Sequence, residues 1–522
     1  MADLDSPKVQ QLSQIVEEST RSTREGVKYF IEPAPNTLNR AKSKRHHIIF
    51  GRRGSGKSSL LAKVSTDLTT VRVPNAYIDL EKFKGHSYPD VLISVLIEAI
   101  GEFRKWLETA AVEPASRTSF WQKLVGTKPS KKSLDKDKAA DLATKLRDAE
   151  KALKTTLHSA DEAKRQETKK AEHAADVEGK LGSSVKTPVG GVDASLSASE
   201  KTGRSHEIKD EYSSRKIEVL HRNILVYKEL FTEISALSDG SSFLLLDDLY
   251  HIRPNDQAHV LDYFHRIAKG SGLWIKVGTI RHRSRWYVFG TPPIGMKIGD
   301  DAESIDLDVT LEKYDLTKKF LLRILDQFAR QSGLKLEDIL TDGARDRLVL
   351  ASGGVARDFL SIFRRAIDIA LERTTRGELA RGEKIGAEDV NKAAGEYDSS
   401  KREDFTRDSG SDRDELLQTF ASVSAFCLDH SKANCFLIDK DLRDDEEVDH
   451  VAELVDLKFL HHVKSRVTVR DRPNRVYDGY MLDLSQYAGE RARRNFDIIE
   501  FWGADGDDSL RKTKLIFAER NR

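Results

Sequence analysis

The chain has 522 residues, enough for several domains with buried cores. Its 86 Lys+Arg against 85 Asp+Glu give a formal net charge of +1, which excludes a generic coat for nucleic acid or anionic lipid but leaves room for local basic patches. Two cysteines, Cys427 and Cys435, exclude a disulfide framework and Cys-rich zinc sites and fit a reducing, cytoplasmic home.

Met1–Glu17 has no apolar signal core, and the most apolar run, Val91–Ile100, is too short to span a bilayer, so no membrane partner is expected. Residues 1–40 read as a leading helix and a loop holding Pro33, Pro35 and Asn36. His46–Phe50 is a short strand, followed at once by a glycine-rich turn and a helix with Leu60, Leu61 and Val64 on one face. Val71–Leu80 reads as a second strand, and a helix runs from Pro89 to about Ala111.

Composition then changes. Pro114–Tyr212 is rich in Lys, Asp, Glu, Ala and Ser. Leu142, Leu146, Ala149, Leu153, Ala160 and Ala163 recur at spacings of three, four and seven, the pattern of a coiled-coil arm. Within it, Gly182–Gly203 reads as a hairpin tip or a disordered stretch.

Helical periodicity resumes at Ile217–Leu237. Phe243–Asp248 is a buried strand ending in two carboxylates, Gln257–Lys269 a helix, and Leu273–Ile280 another buried strand that runs into Arg281. Strands alternating with helices predict an α/β fold around a parallel sheet, with ligands at its carboxyl edge.

Leu316–Gln331, Asp342–Ala351 and Val355–Arg373 predict a helical lid, and Arg381–Ser411 a linker. The expected division is a core over 41–310 interrupted by an insertion at 114–212, a lid over 311–400, and a winged-helix-like domain over 401–522.

The chemistry concentrates in Gly51-Arg52-Arg53-Gly54-Ser55-Gly56-Lys57-Ser58-Ser59, which matches G-x-x-x-x-G-K-[ST]. Glycines let backbone N–H groups approach phosphates, and the following helix N-terminus adds its positive dipole end. Lys57 is expected at the β/γ-phosphates of ATP and Ser58 on Mg²⁺.

Asp247 ends its strand where a Mg²⁺-holding carboxylate is needed, and Asp248 stands where a water-orienting or a merely capping residue would fall. Two arginines compete as phosphate sensors: Arg281 at the strand edge, with Thr279 as its polar rival, and Arg357 at the start of a lid helix. Arginine suits either place because its planar fork binds phosphate bidentately. Arg283 and Arg285 read as solvated loop charges or as fingers acting in trans in a homo-oligomer. His461-His462, on an apolar segment, reads as structural.

On these residues the chain resembles AAA+ ATPases of the origin-recognition (replication-initiator) group and the neighbouring STAND NTPases. Gly51–Ser59 looks like their Walker A motif and Leu244–Asp248 like Walker B. The Asp247-Asp248 pair is nearer the STAND form than the usual Asp-Glu. Gly278-Thr279-Ile280-Arg281 is similar to the STAND sensor strand, and Ser352-Gly353-Gly354-Val355-Ala356-Arg357 to the second sensor of the origin-recognition group. Lys384–Val390 is similar to the segment that precedes that group's winged helix. The insertion at 114–212 departs from both groups, and the shorter Asp248 predicts slow hydrolysis.

The resemblance implies an ATP-controlled switch acting on DNA or in signalling, with bacterial relatives in DNA maintenance and anti-phage defence. The C-terminal sequence is divided on DNA. Its second helix and the approach to it carry Asp441, Asp444, Asp445, Glu446, Glu447, Asp449, Glu453 and Asp456, which repel phosphate. The ribbon Val463–Arg470 and Arg475–Asp483 carries Lys464, Arg466, Arg470, Arg472 and Arg475, with Arg491, Arg493 and Arg494 beyond, and could contact double-stranded DNA. The competing expectation is a scaffold that holds ATP without turnover and recruits a protein partner through its coiled-coil arm. A P-loop kinase ranks below both, because no acceptor-site motif stands out.

Overall fold

The computed structural model describes residues 3–20, 30–112, 135–179, 194–378, 382–408, 413–442, 446–488 and 496–517. In chain order these form α1 (Pro7–Ser19), α2 (Thr37–Lys42), β1 (His47–Phe50), α3 (Lys57–Thr70), β2 (Asn75–Asp79) and α4 (Asp90–Val112). Two long helices follow, α5 (Lys136–Gly179) and α6 (Ala194–Ala236). Then come β3 (Ser242–Asp247), α7 (Pro254–Ala268), β4 (Leu273–Thr279), β5 (Tyr287–Val288), β6 (Ile294–Gly295) and β7 (Glu303–Asp306). The C-terminal half holds α8 (Tyr314–Gln331), α9 (Leu336–Ile339), α10 (Asp342–Ser352), α11 (Ala356–Thr375), α12 (Ala387–Asp408) and α13 (Arg413–Ala425). It continues with β8 (Cys435–Asp439), α14 (Glu446–Asp456), β9 (Leu460–Val467), β10 (Tyr477–Leu482) and α15 (Gly506–Leu510).

Five strands make one parallel sheet in the order β2-β3-β4-β1-β7. Its inner strands are mostly apolar because helices cover both faces, with Lys276 of β4 a buried exception. Ile48, Phe50, Ile78, Leu244, Leu246, Ile275 and Val277 pack toward α4 and α7. Ile49, Leu245, Phe243 and Ile305 face the other way, onto α3 and α2. The edge strand β7 (Glu-Ser-Ile-Asp) is too polar and short to stand out in the sequence. Val71 does not open β2; it caps α3, and Arg72 takes a left-handed φ of 59°.

The insertion is a pair of long helices. Lys145 near the start of α5 pairs with Glu233 near the end of α6, at 3.0 Å, so the two run antiparallel. Leu142, Leu146 and Leu153 are buried as their spacing predicts. Ala194, Leu196 and Ala198, in the stretch read from sequence as a hairpin tip or disordered, lie in α6, while Val192 lies outside the described residues.

One continuous core joins α1, the helices α8–α12 and the C-terminal domain. The stretch expected as a linker, Arg381–Ser411, is largely helix α12. Its Val390, Ala393, Ala394, Tyr397 and Phe405 are buried among otherwise polar residues. Lys401 of the same helix is also buried, and its Nζ donates to Asp483 Oδ2 at 2.6 Å. A buried charge needs such a partner, and it masks the apolar period.

The C-terminal sheet has the order β8-β10-β9, all antiparallel, with α13 and α14 packed beside it. The expected ribbon is β9 and β10; β8 is the third strand. This is a winged-helix-like arrangement. Arg491, Arg493, Arg494, Asp444 and Asp445 lie outside the described residues. No described helix is long and apolar enough to cross a membrane.

At the amino edge of the sheet, Lys276 is fully buried in β4. Its Nζ donates to Ser43 O (2.8 Å), Arg45 O (2.6 Å) and His47 Nδ1 (2.9 Å). Beside it, His46 Nδ1 accepts the Ile275 N–H at 3.0 Å. Burial, then His265 and Lys276, pull the His46 pKa down to about 4.

The unfolded chain takes up this proton near pH 6.5, while the folded chain resists it down to about pH 4. Stability therefore falls between those values and levels off below them. An asparagine oxygen can replace the Nδ1 acceptor without titrating. His46→Asn is expected to flatten the fall in melting temperature between pH 6.5 and 4, an effect on the order of 2–3 kcal/mol in a pH series of thermal melts.

Candidate nucleotide site

The glycine-rich loop leaves β1, the strand between β4 and β7, and enters α3. Gly54 and Gly56 take left-handed φ values of 90° and 99°, which an L side chain resists. Nothing lies within 4 Å of where a Gly56 Cβ would stand, so the loop is open there. At Gly51 a Cβ would come within 2.2 Å of Ser55 Oγ. Ser55 Oγ is itself buried without a hydrogen-bond partner. An open cradle of backbone N–H groups with an orphaned hydroxyl suits phosphate oxygens.

Lys57 is buried, and its Nζ donates to Gly51 O (2.8 Å) and Arg52 O (3.1 Å). Burial lowers its pKa; Asp248 and Asp247 oppose that and hold the charge. Ser58 hydrogen-bonds the Asp247 carboxylate, which also accepts from Tyr77 Oη at 2.5 Å and from the Asp248 N–H at 3.0 Å. Burial first, then neighbouring Asp248, raises the Asp247 pKa. A carboxylate so placed favours a cation beside it, and Ser58 with Asp247 is a donor set suited to Mg²⁺. Gly278 on the adjacent strand makes the room: a Cβ there would stand 2.8 Å from Asp247 Oδ1.

A cavity of about 230 Å³ opens in front of the loop. Arg53 to Ser59, Glu81, Asp248 and Arg357 line its polar part. Its apolar part is built by Phe30, Ile31 and Leu307 with Phe320, Ile324 and Phe328 of α8 and Leu360 of α11. One charged end and one apolar end suit a nucleotide, with phosphates on the loop and the base against α8.

Residues 1–40, read from sequence as a leading helix and a loop, carried no expected link to the site. Instead α1 packs on α8 and α11, and Ser19, Thr20, Phe30 and Ile31 close the cavity wall. Nothing in the sequence around Phe30 signals that role, because it depends on docking across the chain.

The expected site residues divide. Asp248, in a left-handed conformation (φ 55°), and Arg357 both reach the cavity. Gly54 touches the lid directly: the Arg357 N–H donates to Gly54 O at 3.3 Å, and a Gly54 Cβ would stand 2.7 Å from Arg357 Cβ. Gly51 and Arg52 lie behind the cavity.

The Arg52 N–H is bound to Asp308 Oδ1 at 2.9 Å, and its guanidinium donates to Val309 O (3.1 Å) and Gly353 O (3.0 Å). Its role here is to tie the loop to the lid. Arg281 is not on the cavity wall. Its guanidinium stacks 3.9 Å over the Phe50 ring, with Asp306 at 3.5 Å. Thr279 Oγ1 is engaged with Ser284 Oγ. Arg283 comes nearer the site than sequence suggested, 5.7 Å from the ring of Tyr250, which lines the cavity.

This is a P-loop NTPase fold with a helical lid and a winged-helix-like C-terminal domain. No protein-family model matches the chain, and no curated protein matches it. Among solved structures it is similar to the ORC1 protein of Aeropyrum pernix in complex with DNA. The identity is 14% and the TM-score 0.37, over 90% of this chain and 93% of that one. So loose a likeness carries no functional conclusion.

The geometry separates the two sensor candidates. Arg357→Ala is expected to weaken binding of a fluorescent ATP analogue about tenfold or more, with a smaller effect on the ADP analogue. Arg281→Ala is expected to leave both within about twofold, because its charge is spent on Phe50 and Asp306. Titration of the two variants side by side checks this.

Proposed function

We propose that the chain is an ATP-dependent molecular switch that reports the state of its nucleotide site to its C-terminal domain. The observation that carries this is Arg52. It belongs to the phosphate loop, is 3% exposed and is bonded at once to Asp308, to Val309 and to Gly353 of the lid. Gly353 in turn abuts His461 of β9: a Cβ there would stand 2.0 Å from the imidazole. Loop, lid and C-terminal domain therefore cannot move independently.

In this reading Gly54 to Ser59 bind the phosphates, Lys57 neutralises them and Ser58 with Asp247 would hold Mg²⁺. Bound there, the metal would supply positive charge that offsets the phosphate oxygens. Asp248 accepts a hydrogen bond from the attacking water and orients it. The water oxygen bonds to the γ-phosphorus as the β–γ bridge breaks, and its proton passes to Asp248 or to phosphate. Arg357 closes the lid on the γ-phosphate. Asp is one methylene shorter than Glu, so turnover is slow.

The output of the switch is engagement of double-stranded DNA through the wing between β9 and β10. Arg470 and Arg472 are exposed there and have no carboxylate partner among the described residues. Arg475 differs, with Nη1 3.0 Å from Asp439 Oδ2. Helix α14 is poorly placed to lead: its Asp456 is held against the ATPase core, 3.9 Å from His282. The long α5–α6 pair is the surface for a protein partner.

Two measurements test this. Asp248→Asn is expected to slow ATP hydrolysis at least tenfold while ATP binding persists; unchanged turnover removes Asp248 from the role. Wild-type protein that retains ATP with no turnover at all is instead a static scaffold. Replacing Arg470 and Arg472 together by Ala is expected to weaken duplex binding across sequences and reduce the salt-dependence slope by about two. An unaltered slope dismisses the wing.

A further inference from the structure

Between β4 and β7 the chain makes a small hairpin that the phosphate chemistry does not use. Tyr287 pairs with Gly295 and Val288 with Ile294 across β5 and β6. Its base is fixed. Trp286 packs edge-on to Phe50 at 4.9 Å, Met296 is fully buried, and the Met296 N–H donates to Trp286 O at 2.9 Å. Gly295, at φ 105°, gives its N–H to Asp262 Oδ1 of α7 at 3.3 Å. Any Cβ at Gly295 would strike Trp286 O at 2.2 Å, so the narrow waist requires glycine.

The tip is the opposite. Phe289 is 85% exposed, the most exposed large apolar side chain among the described residues, and Val288 is 42% exposed. Tyr287 stands edge-on to Phe289 with ring centroids 5.0 Å apart, so the outer ring is propped from behind. Gly290, Thr291, Pro292 and Pro293, all exposed, complete the turn and leave the face of Phe289 uncovered.

The segment's own charges are all positive, and carboxylates from outside it engage two of them. Residues 281–297 hold Arg281, Arg283, Arg285 and Lys297 and no carboxylate; Arg281 is taken by Asp306 and Lys297 by Asp300 at 2.7 Å, so Arg285 is the cation the root offers. Arg285 is exposed at the hairpin's root, held by the neutral Asn255 Oδ1 at 3.1 Å. A cation at the root, Arg285, and an uncovered ring at the tip match the two components of a nucleic-acid strand, phosphate and base. The apolar patch is two residues wide, far below the buried area a specific protein interface needs. Inserting one ring into a duplex would also require unstacking a base step, whereas the bases of a single strand are already accessible.

We infer that the 287–295 hairpin is a single-stranded DNA contact, with Phe289 stacking on a base and Arg285 on the neighbouring phosphate. It adds to the proposed DNA output a second surface on the ATPase core, separate from the wing, on the segment that joins β4 to the edge strand β7. The preceding turn Arg281–Arg283 touches α14 of the C-terminal domain, so strand and duplex contacts flank one interface.

The test is fluorescence anisotropy of the full chain with labelled oligo-dT and, separately, a labelled duplex of equal length. Phe289→Ala is expected to weaken oligo-dT binding about tenfold with the salt slope unchanged, and Phe289→Trp to restore it. Arg285→Gln is expected to lower that slope by about one. Duplex affinity should be unaffected by either and reduced by the Arg470 and Arg472 replacements.

If Phe289→Ala binds oligo-dT like the wild type while the wing variant still loses duplex, the hairpin inference fails alone and the switch reading stands. If the wild type binds neither probe in ATP or ADP, the DNA output and the hairpin contact both fall. Equal losses on strand and duplex overturn the single-strand assignment. A change in sedimentation on Phe289→Ala, with DNA binding intact, would place a second copy of this chain on the hairpin instead.

Discussion

A buried arginine at the flank of the phosphate loop is the point on which the rest depends. Arg52 sits between three bodies: the loop it belongs to, Asp308 and Val309 on the way out of the sheet, and Gly353 at the turn of the lid. A guanidinium taken out of water must satisfy its donors nearby, and here its partners come from elements distant in the chain. Removing any one of them would leave a buried charge short of a partner. The geometry of the loop is thus conditional on the lid, and the lid on the loop.

The connection continues outward through close approaches. Gly353 has no room for a side chain because His461 fills the space, and His461 Nε2 is bonded to Asp483 Oδ2 at 2.7 Å. Asp483 also receives Lys401 of α12. Burial alone would raise the Asp483 pKa, but Lys401 and His461 bring it well below the ordinary carboxylate range. A second buried pair, Lys458 with Asp358 at 3.0 Å, joins the loop after α14 to α11. Both pairs cross from the lid to the C-terminal domain. This explains why one hydrophobic core runs through regions that composition would divide.

The candidate site was legible where the proposed chemistry is local. A phosphate loop needs glycines at fixed offsets, a lysine and a hydroxyl, and all of these are consecutive. Asp247 and Asp248 were legible because a buried parallel strand is an apolar run and any carboxylate at its end stands out. The sensors were not separable in the same way. Arg281 and Arg357 have equivalent local contexts, and the choice falls to Phe50 and Asp306, which engage Arg281 before it reaches the cavity. The contributions of Phe30 and Ile31 to the cavity were equally hidden, since they come from a segment docked across the chain.

Sequence alone determined the central sheet, the phosphate loop, the helical lid and the long helical insertion, because each rests on periodicity or on neighbouring residues. It misjudged α12, whose buried Lys401 breaks the apolar stripe, and it passed over β7, β8 and the hairpin at 287–295, which are too short or too polar to announce themselves. Tertiary structure decided which arginine faces the cavity, that the N-terminal helix packs on the lid helices, and that the C-terminal domain is clamped to the lid. Those decisions depend on burial and on partners hundreds of positions away, and a charge's role follows from the partner that holds it.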